Sequence, residues 1–319
     1  ELKKNKNMFL TQAAFPSFYG YSVQQIKKAQ GLNKKIVNPV VDADVPDPSV
    51  IRVGDTYYAA ATSGNKPQVY PRLRSKDLQT WEPMGYVFDK WPDWPMGSLW
   101  APELFDLCGR TMCYYTARQK SDSTSCIGVA MADGPEGRFK DYGPLIRTTN
   151  EAIDAYVFRD GTQLYISWKA YGLDPSKRPI ELLCQRLSDD GLRLEGEPFM
   201  LLRDDRRQGM EGQCIFRQGD WWYILYAIRD CCTPKSDYAV SVARSRSLQG
   251  PWEEYEENPI LEGDGVDMQS CGHGTMVRTP EGEMYYLCHA YYMNRYKEGR
   301  KAVLFRLEIG DDGWVHPKR

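Results

Sequence analysis

The sequence predicts an all-β protein with the architecture of a five-bladed β-propeller. Three observations lead to this prediction: aromatic residues fall in short runs, one hairpin pattern recurs five times, and a second element follows each hairpin. The chain holds 9 Trp, 21 Tyr and 10 Phe, mostly between Gly, Asp and Pro residues. Such a distribution is typical of many short strands joined by tight turns.

Composition sets the limits of the interpretation. The 319 residues are 42% hydrophobic and carry a net charge of −2, which argues against a nucleic-acid or anionic-membrane partner. No apolar stretch approaches the roughly 18 residues of a membrane span. Helical periodicity is clear only in "YSVQQIKKAQGL", residues 21–32. We therefore expect an N-terminal extension over residues 1–37 and a single propeller domain over residues 38–319.

The recurring hairpin first occurs as "VPDPSVIRVGDTYY", residues 45–58, where two β-rich pieces flank a Gly-Asp turn. The four later copies begin "ELFDLCGRTMCYYTA", "AYVFRDGTQLYISWKAY", "QCIFRQGDWWYILYA" and "TMVRTPEGEMYYLCHAY". The turn glycines, separated by 52 to 63 residues, are Gly54, Gly109, Gly161, Gly219 and Gly282. This near-constant spacing indicates a structural repeat.

The second element completes each repeat. It reads "SKDLQTWEPMG", "MADGPEGRFKDYG", "SDDGLRLEGEPFML", "SRSLQGPWEEY" and "GDDGWVHP", the third copy lacking a central aromatic residue. Five units of about 57 residues account for the chain after residue 40. A sheet of four short strands cannot bury both faces alone, so neighbouring sheets must stack around an axis as propeller blades.

Ionisable residues stand just before all five hairpins, where the innermost strands would begin. They are Asp47, Glu103, Asp154, Glu211 and His273. Each could serve as a local turn former, as Asp-Pro pairs often do. Gathering acids on a narrow axis is electrostatically unfavourable. The presence of an ionisable residue at all five positions therefore favours a functional site.

Carboxylates that share a site ionise unequally, so one can remain protonated while another acts as a base. That combination suits glycoside hydrolysis. In the inverting reaction the two carboxyl groups lie roughly 6.5–9.5 Å apart, which leaves room for a water molecule.

The nine cysteines include no C-x-x-C pair, and an odd number cannot be fully bridged. We therefore expect neither a zinc site nor a dense disulfide framework. Most of the cysteines should be small buried residues.

The chain resembles glycoside hydrolase family 43, whose members are five-bladed propellers acting mainly on arabinose- and xylose-containing polysaccharides. The resemblance rests on the order and spacing of "NPVVDADVPDPSVI", "SKDLQTW", "SLWAPEL", "IDAYVF", "MEGQCIF", "SDYAVSVARSRSLQGPWEEYEENPIL" and "GHGTMVRTPEG". It implies that Asp47 is the general base and Glu211 the general acid. It also implies that Asp154 tunes the pKa of the acid and orients it.

The resemblance implies further roles. His273 would approach a calcium or sodium ion through water, or else fill the axis. Arg300 would reach the non-reducing-end sugar, and Trp100 would form an apolar wall. We expect Trp94 to stack on a sugar, and Glu103 joins the substrate-binding candidates through its axial position. The alternative role of the two tryptophans is packing, and that of Arg300 is a surface charge.

Two departures from the family pattern affect the expected pocket. Proline often follows the modulating aspartate and the E-G pair, whereas this chain has Ala155 and Gln213. The stretch "RDDRRQGMEG" is also more charged than expected. It is interpreted as a solvated loop, in which Arg203, Arg206 or Arg207 could meet a polar or acidic branch of a substrate.

The resulting hypothesis is an inverting exo-α-L-arabinofuranosidase that is periplasmic, cell-surface or secreted. Within the family, β-xylosidase, endo-arabinanase and exo-β-galactosidase are alternatives. Related invertase-like propellers retain configuration, but their N-D-P-N and E-C-P motifs do not occur here. A carbohydrate-binding propeller without catalysis is the alternative of a different class.

Overall fold

The computed structural model describes residues 35–148, 151–171, 179–206 and 208–318. They form five four-stranded antiparallel sheets arranged as the blades of a propeller, which confirms the predicted fold class. The predicted N-terminal extension and its helical segment lie almost wholly outside these residues. The only helical turn within them is a 3-10 helix, Tyr296–Glu298. None of their helices is long and apolar enough to cross a membrane.

Each blade is one continuous piece of chain whose strands pair in sequence order. Blade 1 contains β1 to β4: Ser49–Val53, Thr56–Ala60, Val69–Ser75 and Glu82–Phe88. Blade 2 contains β5 to β8: Pro95–Leu107, Arg110–Gln119, Ser125–Ala132 and Lys140–Ile146. Blade 3 contains β9 to β12: Ala152–Asp160, Gln163–Ala170, Ile180–Leu187 and Leu194–Asp204. Blade 4 contains β13 to β16: Glu211–Gln218, Trp221–Ile228, Ala239–Ser245 and Glu253–Glu254. Blade 5 contains β17 to β20: Met268–Arg278, Met284–Tyr292, Lys301–Ile309 and Val315–Pro317.

The predicted hairpins are the two inner strands of each blade. All five turn glycines have a positive φ, between 59° and 89°, which the tight turns require and which glycine adopts without steric cost. The first strands of successive blades contact one another all the way round, from β1 through β5, β9, β13 and β17 back to β1. The starts of these five strands therefore surround one axis.

The hydrophobic core lies between blades rather than inside them. One cluster of buried side chains joins blades 1 and 2, a second joins blades 2 and 3, and a third extends through blades 3 to 5. The fourth cluster joins blade 1 to blade 5 and includes Val40 and Val41 from the segment before β1. Each blade is thus stabilised by its neighbours, as the repeat predicted.

The cysteines largely follow the prediction. Six of the seven free cysteines are buried, and Cys108 is exposed. The sequence did not predict a disulfide between Cys231 and Cys232, which are adjacent in the loop between β14 and β15.

Candidate active site

One position at the start of every innermost strand has a left-handed backbone. Its φ lies between 42° and 58°, a region that residues other than glycine seldom adopt. The hairpin registers place these residues at equivalent positions, and we call them the axial ring: Asp47, Ala101, Asp154, Gly212 and His273. Strained backbone of this kind is often found at functional sites.

Three of the five residues predicted on the axis belong to this ring. Glu211 precedes its ring position by one residue, and Glu103 follows its ring position by two. Glu103 consequently lies one layer further along the axis, where it accepts a hydrogen bond from Ser49 Oγ at 2.7 Å. Burial raises the pKa of Glu103 to about 8.

Asp47 is buried among basic and hydroxyl side chains. Thr62 Oγ1 donates to its Oδ2 at 2.7 Å, and Arg300 Nη1 donates to its Oδ1 at 3.0 Å. His289 Nδ1 lies 3.1 Å from both the backbone N and Oδ1 of Asp47. Burial opposes ionisation, but Arg300, His273 and His289 outweigh it and hold the pKa of Asp47 well below its usual range. Asp47 is therefore an ionised carboxylate.

Glu211 has a different set of partners. Lys169 Nζ donates to its Oε2 at 2.7 Å, and the Tyr238 hydroxyl donates to its Oε1 at 2.8 Å. Burial raises the pKa of Glu211, but the Lys169 ammonium, itself almost fully buried, outweighs this effect and the net shift is downward. Lys169 thus favours the ionised form of a residue to which the family resemblance assigns an acid role.

Asp154 interacts electrostatically with both of the other acids. Its Oδ2 accepts a hydrogen bond from the backbone N–H of Gly212 at 3.2 Å, and its own backbone N–H donates to Thr116 Oγ1. The pKa of Asp154 is raised to about 6, chiefly by burial, with added repulsion from Glu211 and Asp47. Asp154 can therefore hold a proton up to about pH 6.

His273 lies close to both Asp47 and Asp154. Its Nδ1 lies 3.6 Å from Asp47 Oδ1 and 3.8 Å from Asp154 Oδ2. In the described part of the chain no group of three or more His, Cys, Asp or Glu side chains is placed to hold a metal ion. The calcium or sodium ion implied by the family resemblance stays a prediction.

Several site residues were not predicted from sequence. Equivalent positions at or just beyond the ends of the second strands carry Thr62, Thr116, Lys169, Ala227 and His289. The first four follow the axial-ring residue of their blade by 15 residues, and His289 follows His273 by 16. That spacing was available in the sequence. Tyr238, from the loop after β14, had no such pattern.

The two tryptophans occupy different places. Trp100 is half-buried and takes the position in blade 2 that Glu211 takes in blade 4. Trp94 stacks on Tyr115 with ring centroids 5.8 Å apart, and it packs against the core between blades 1 and 2. Its ring is thus engaged in protein packing.

The departures from the family pattern have local explanations. Gln213 is buried and its side-chain amide donates to the backbone carbonyl of Asp154 at 2.6 Å. Arg203 pairs with Asp205 at 2.7 Å, and Arg206 pairs with Glu254. Both arginines are thus already engaged with carboxylates, and Arg207 lies outside the described residues.

Comparison with known proteins identifies the family. The sequence model described as "Glycosyl hydrolases family 43" matches residues 36–315. A "Beta-xylosidase" of Bacillus subtilis is 27% identical over 271 residues, which cover 80% of this chain but 49% of that protein. The chain thus spans about half the length of this relative.

Two further similarities extend over most of both chains. An "Extracellular exo-alpha-(1->5)-L-arabinofuranosidase" of Cellvibrio japonicus is 27% identical over 310 residues, 85% of each chain. The crystal structure of a "thermostable family-43 glycoside hydrolase" superposes with a TM-score of 0.79 at 25% identity, covering 89% of this chain and 96% of that one. Together with the family match over residues 36–315, these similarities show that the chain belongs to glycoside hydrolase family 43.

Proposed function

We propose that this chain is an inverting glycoside hydrolase that releases a terminal pentose, first of all α-L-arabinofuranose, from plant-type polysaccharides or oligosaccharides. The observation that carries the proposal is the pair of axial carboxylates with separate partners. Asp47 is held by Thr62, His289 and Arg300, whereas Glu211 is held by other groups. A base and an acid need such distinct surroundings.

The two sets of partners meet at a pair of stacked rings. The His289 ring, which contacts Asp47, lies 5.4 Å from the Tyr238 ring, which contacts Glu211, and the two planes are 9° from parallel. The Asp47 carboxylate thus contacts the His289 ring, and the Glu211 carboxylate contacts the hydroxyl of Tyr238. The proposed inverting reaction requires room for a water molecule between the base and the anomeric carbon.

In the proposed reaction Asp47 takes a proton from a water molecule as the water oxygen attacks the anomeric carbon. Glu211 gives a proton to the glycosidic oxygen as the bond to the anomeric carbon breaks. Asp154 interacts electrostatically with Glu211, and in this proposal its charge modulates the pKa of Glu211. After the products leave, Asp47 releases its proton to solvent and Glu211 takes up a proton from solvent, which restores both groups.

The choice of sugar rests on the pocket and on the relatives. Arg300 reaches Asp47 at 3.0 Å, so it lies where a terminal sugar must approach the attacking water. Trp100, half-buried at the axial end of blade 2, is proposed as an apolar wall of the pocket. The Cellvibrio japonicus relative supports arabinofuranose. The Bacillus subtilis relative supports β-xylosidase as the second candidate, since xylose is also a pentose.

Asp47→Asn and Glu211→Gln test the mechanism. Each should lower kcat/KM by about 10²–10⁴-fold, because each removes a proton-transfer partner. The loss in Glu211→Gln should be smaller for an aryl glycoside with a good leaving group, since that group departs with little protonation. Proton NMR of the first product should show β-arabinose released from an α-arabinoside.

Asp77→Asn is the matched control, because the Asp77 carboxylate only accepts hydrogen bonds in the turn after β3. It should retain full activity. Initial α-arabinose would overturn inversion, and release of xylose alone would favour the second candidate. A panel of glycosides from which no sugar is released would favour a carbohydrate-binding propeller.

Polymeric substrates lie outside cells, and the Cellvibrio japonicus relative is described as extracellular. We therefore propose that this protein acts in the periplasm, at the cell surface or after secretion. Fractionation of the producing cells tests this, and recovery of the protein in the cytoplasmic fraction would contradict it.

A further inference from the structure

The loop between β14 and β15, residues 229–238, lies at the pocket end of blade 4, and we call it the rim loop. β14 ends one residue after Ala227, which pairs with Glu211 in the hairpin register, so the chain leaves the sheet beside the candidate acid. The rim loop ends at Tyr238, whose hydroxyl donates to Glu211. Both ends of the rim loop are therefore next to the acid.

Hydrogen bonds close the rim loop on itself. The backbone N–H groups of Cys232 and Thr233 donate to Asp230 Oδ1, and the Asp237 backbone N–H donates to the Asp230 carbonyl. At the exposed tip, the disulfide between Cys231 and Cys232 closes a small ring through one peptide bond. These covalent and hydrogen bonds within the rim loop restrain the backbone of its exposed tip.

The rim loop is also attached to blade 5. The Tyr296 hydroxyl donates to the Cys232 carbonyl, and Ser270 Oγ donates to the Ser236 carbonyl at 2.6 Å. The Tyr296 ring lies 4.9 Å from the ring of Tyr291. The disulfide thus lies where the pocket-side loops of blades 4 and 5 meet.

The position of the acid determines what this rim can contact. A general acid protonates the oxygen between the terminal sugar and the leaving group, so the leaving group must pass beside Glu211. Cys232 and the two residues after it are exposed to solvent. The sulfur atoms are polarisable and suit contact with apolar C–H surface.

We infer that the rim loop binds the leaving-group saccharide and that the Cys231–Cys232 disulfide holds it in the binding conformation. The inference rests on the proposed hydrolase function and adds a specificity determinant to it. Reduction of the disulfide, with a dithiol oxidised in exchange, should weaken recognition of a leaving-group sugar. Hydrolysis of a glycoside with a small aryl leaving group should change far less.

The test compares kcat/KM for an oligosaccharide with kcat/KM for an aryl glycoside of the same terminal sugar. The double substitution Cys231→Ala, Cys232→Ala should lower this ratio about tenfold or more, the effect of losing one good contact. Treatment of the wild-type protein with dithiothreitol should lower this ratio similarly, which guards against misfolding of the variant.

Two further variants test the attachment of the rim loop. Tyr296→Phe should lower the same ratio through loss of the contact to Cys232. Cys108→Ser, at an exposed free cysteine, should leave it unchanged.

Thiol titration in denaturant supplies a readout independent of activity. Seven thiols should react before reduction and all nine cysteines after it. Nine reactive thiols without reductant, or an unchanged ratio in an active double variant, would overturn the inference while leaving the hydrolase function standing. Wild-type activity on aryl glycosides alone would also overturn it. A wild-type protein that hydrolyses neither substrate would overturn the proposed function itself, and the inference with it.

Discussion

At the scale of single residues, the main feature of the site is the unequal surroundings of its acids. Arg300 and two histidines favour the ionised form of Asp47, which the proposed role of general base requires. Lys169 also favours the ionised form of Glu211, which must carry a proton to act as an acid. The rate should therefore fall as pH rises through the pKa of Glu211, and Lys169 should set where that decline begins.

Lys169→Met tests this role. Without the ammonium group, burial is the dominant influence and raises the pKa of Glu211. The protonated acid then persists to higher pH, so the alkaline limb of the kcat/KM profile should move to higher pH. The measurement is kcat/KM for an aryl glycoside across the pH range, together with the melting temperature of each variant.

Lys301→Met provides the comparison, because Lys301 is equally buried but donates to the Glu298 carbonyl at 2.8 Å. Its pH profile should match that of the wild-type protein. An alkaline limb that stays in place in Lys169→Met, or that moves in both variants, would contradict the assignment.

Sequence reasoning selected Asp47, Asp154 and Glu211 as candidates because each stands just before a recognisable hairpin. It missed Lys169 and His289 because they follow apolar strand residues, and polarity alone does not tell where a strand ends. The equal lengths of the hairpins place these residues 15 or 16 positions after the axial ring. Their location follows from the repeat once the first-strand residues are known.

At the scale of secondary-structure elements, the irregular start of the innermost strand builds the site. The left-handed residue interrupts the hairpin register in blades 2 to 5. In blade 4 the ring position is a glycine. A Cβ atom at Gly212 would lie 2.6 Å from Cγ of His273, so blade 5 leaves no room for a side chain there.

Gly212→Ala should therefore reduce activity strongly. The added methyl group must displace His273, which lies between Asp47 and Asp154, and the left-handed backbone costs a further 1–2 kcal/mol approximately. We expect kcat/KM to fall by about 10²-fold, since small displacements of catalytic groups can have that effect. Steady-state kinetics and urea denaturation measure the two consequences separately.

Gly219→Ala separates strain from the steric clash. Gly219 has nearly the same φ, 60° against 56°, but a Cβ atom there would meet nothing within 4 Å. Gly219→Ala should lose a similar backbone contribution to stability and keep its activity. Equal kinetic losses in the two variants would refute the proposed displacement of His273.

The hairpins were predictable because Gly turns between aromatic and β-branched runs leave few alternatives. The fourth strands were less predictable, since a strand as short as β16, with two residues paired to β15, leaves little pattern in the sequence. The axial-ring conformation was not predictable, because it depends on backbones that meet only after the ring of blades closes. The sequence therefore predicts the strands of each blade better than the backbone conformation where the blades meet at the axis.

At the scale of the whole molecule, closure of the ring depends on the segment before β1. The Asn38 side chain makes two hydrogen bonds to the backbone of Leu304, and Val41 bridges to Ala302 in the third strand of blade 5. Asn258 makes the same two bonds to Val242 in the third strand of blade 4. The same motif thus occurs twice, but only Asn38 joins the first blade to the last.

Asn38→Ala and Asn258→Ala should therefore speed backbone hydrogen exchange in different strands. Each removes two backbone contacts and should lower the free energy of unfolding by roughly 1–3 kcal/mol. Asn38 spans 266 residues and Asn258 spans 16, so only Asn38→Ala releases a long closed loop. Hydrogen exchange followed by mass spectrometry should then be faster in β1 and β19 for Asn38→Ala, and in β15 for Asn258→Ala. If exchange at the junction of blades 1 and 5 is unchanged in Asn38→Ala, contacts between the first strands alone close the ring.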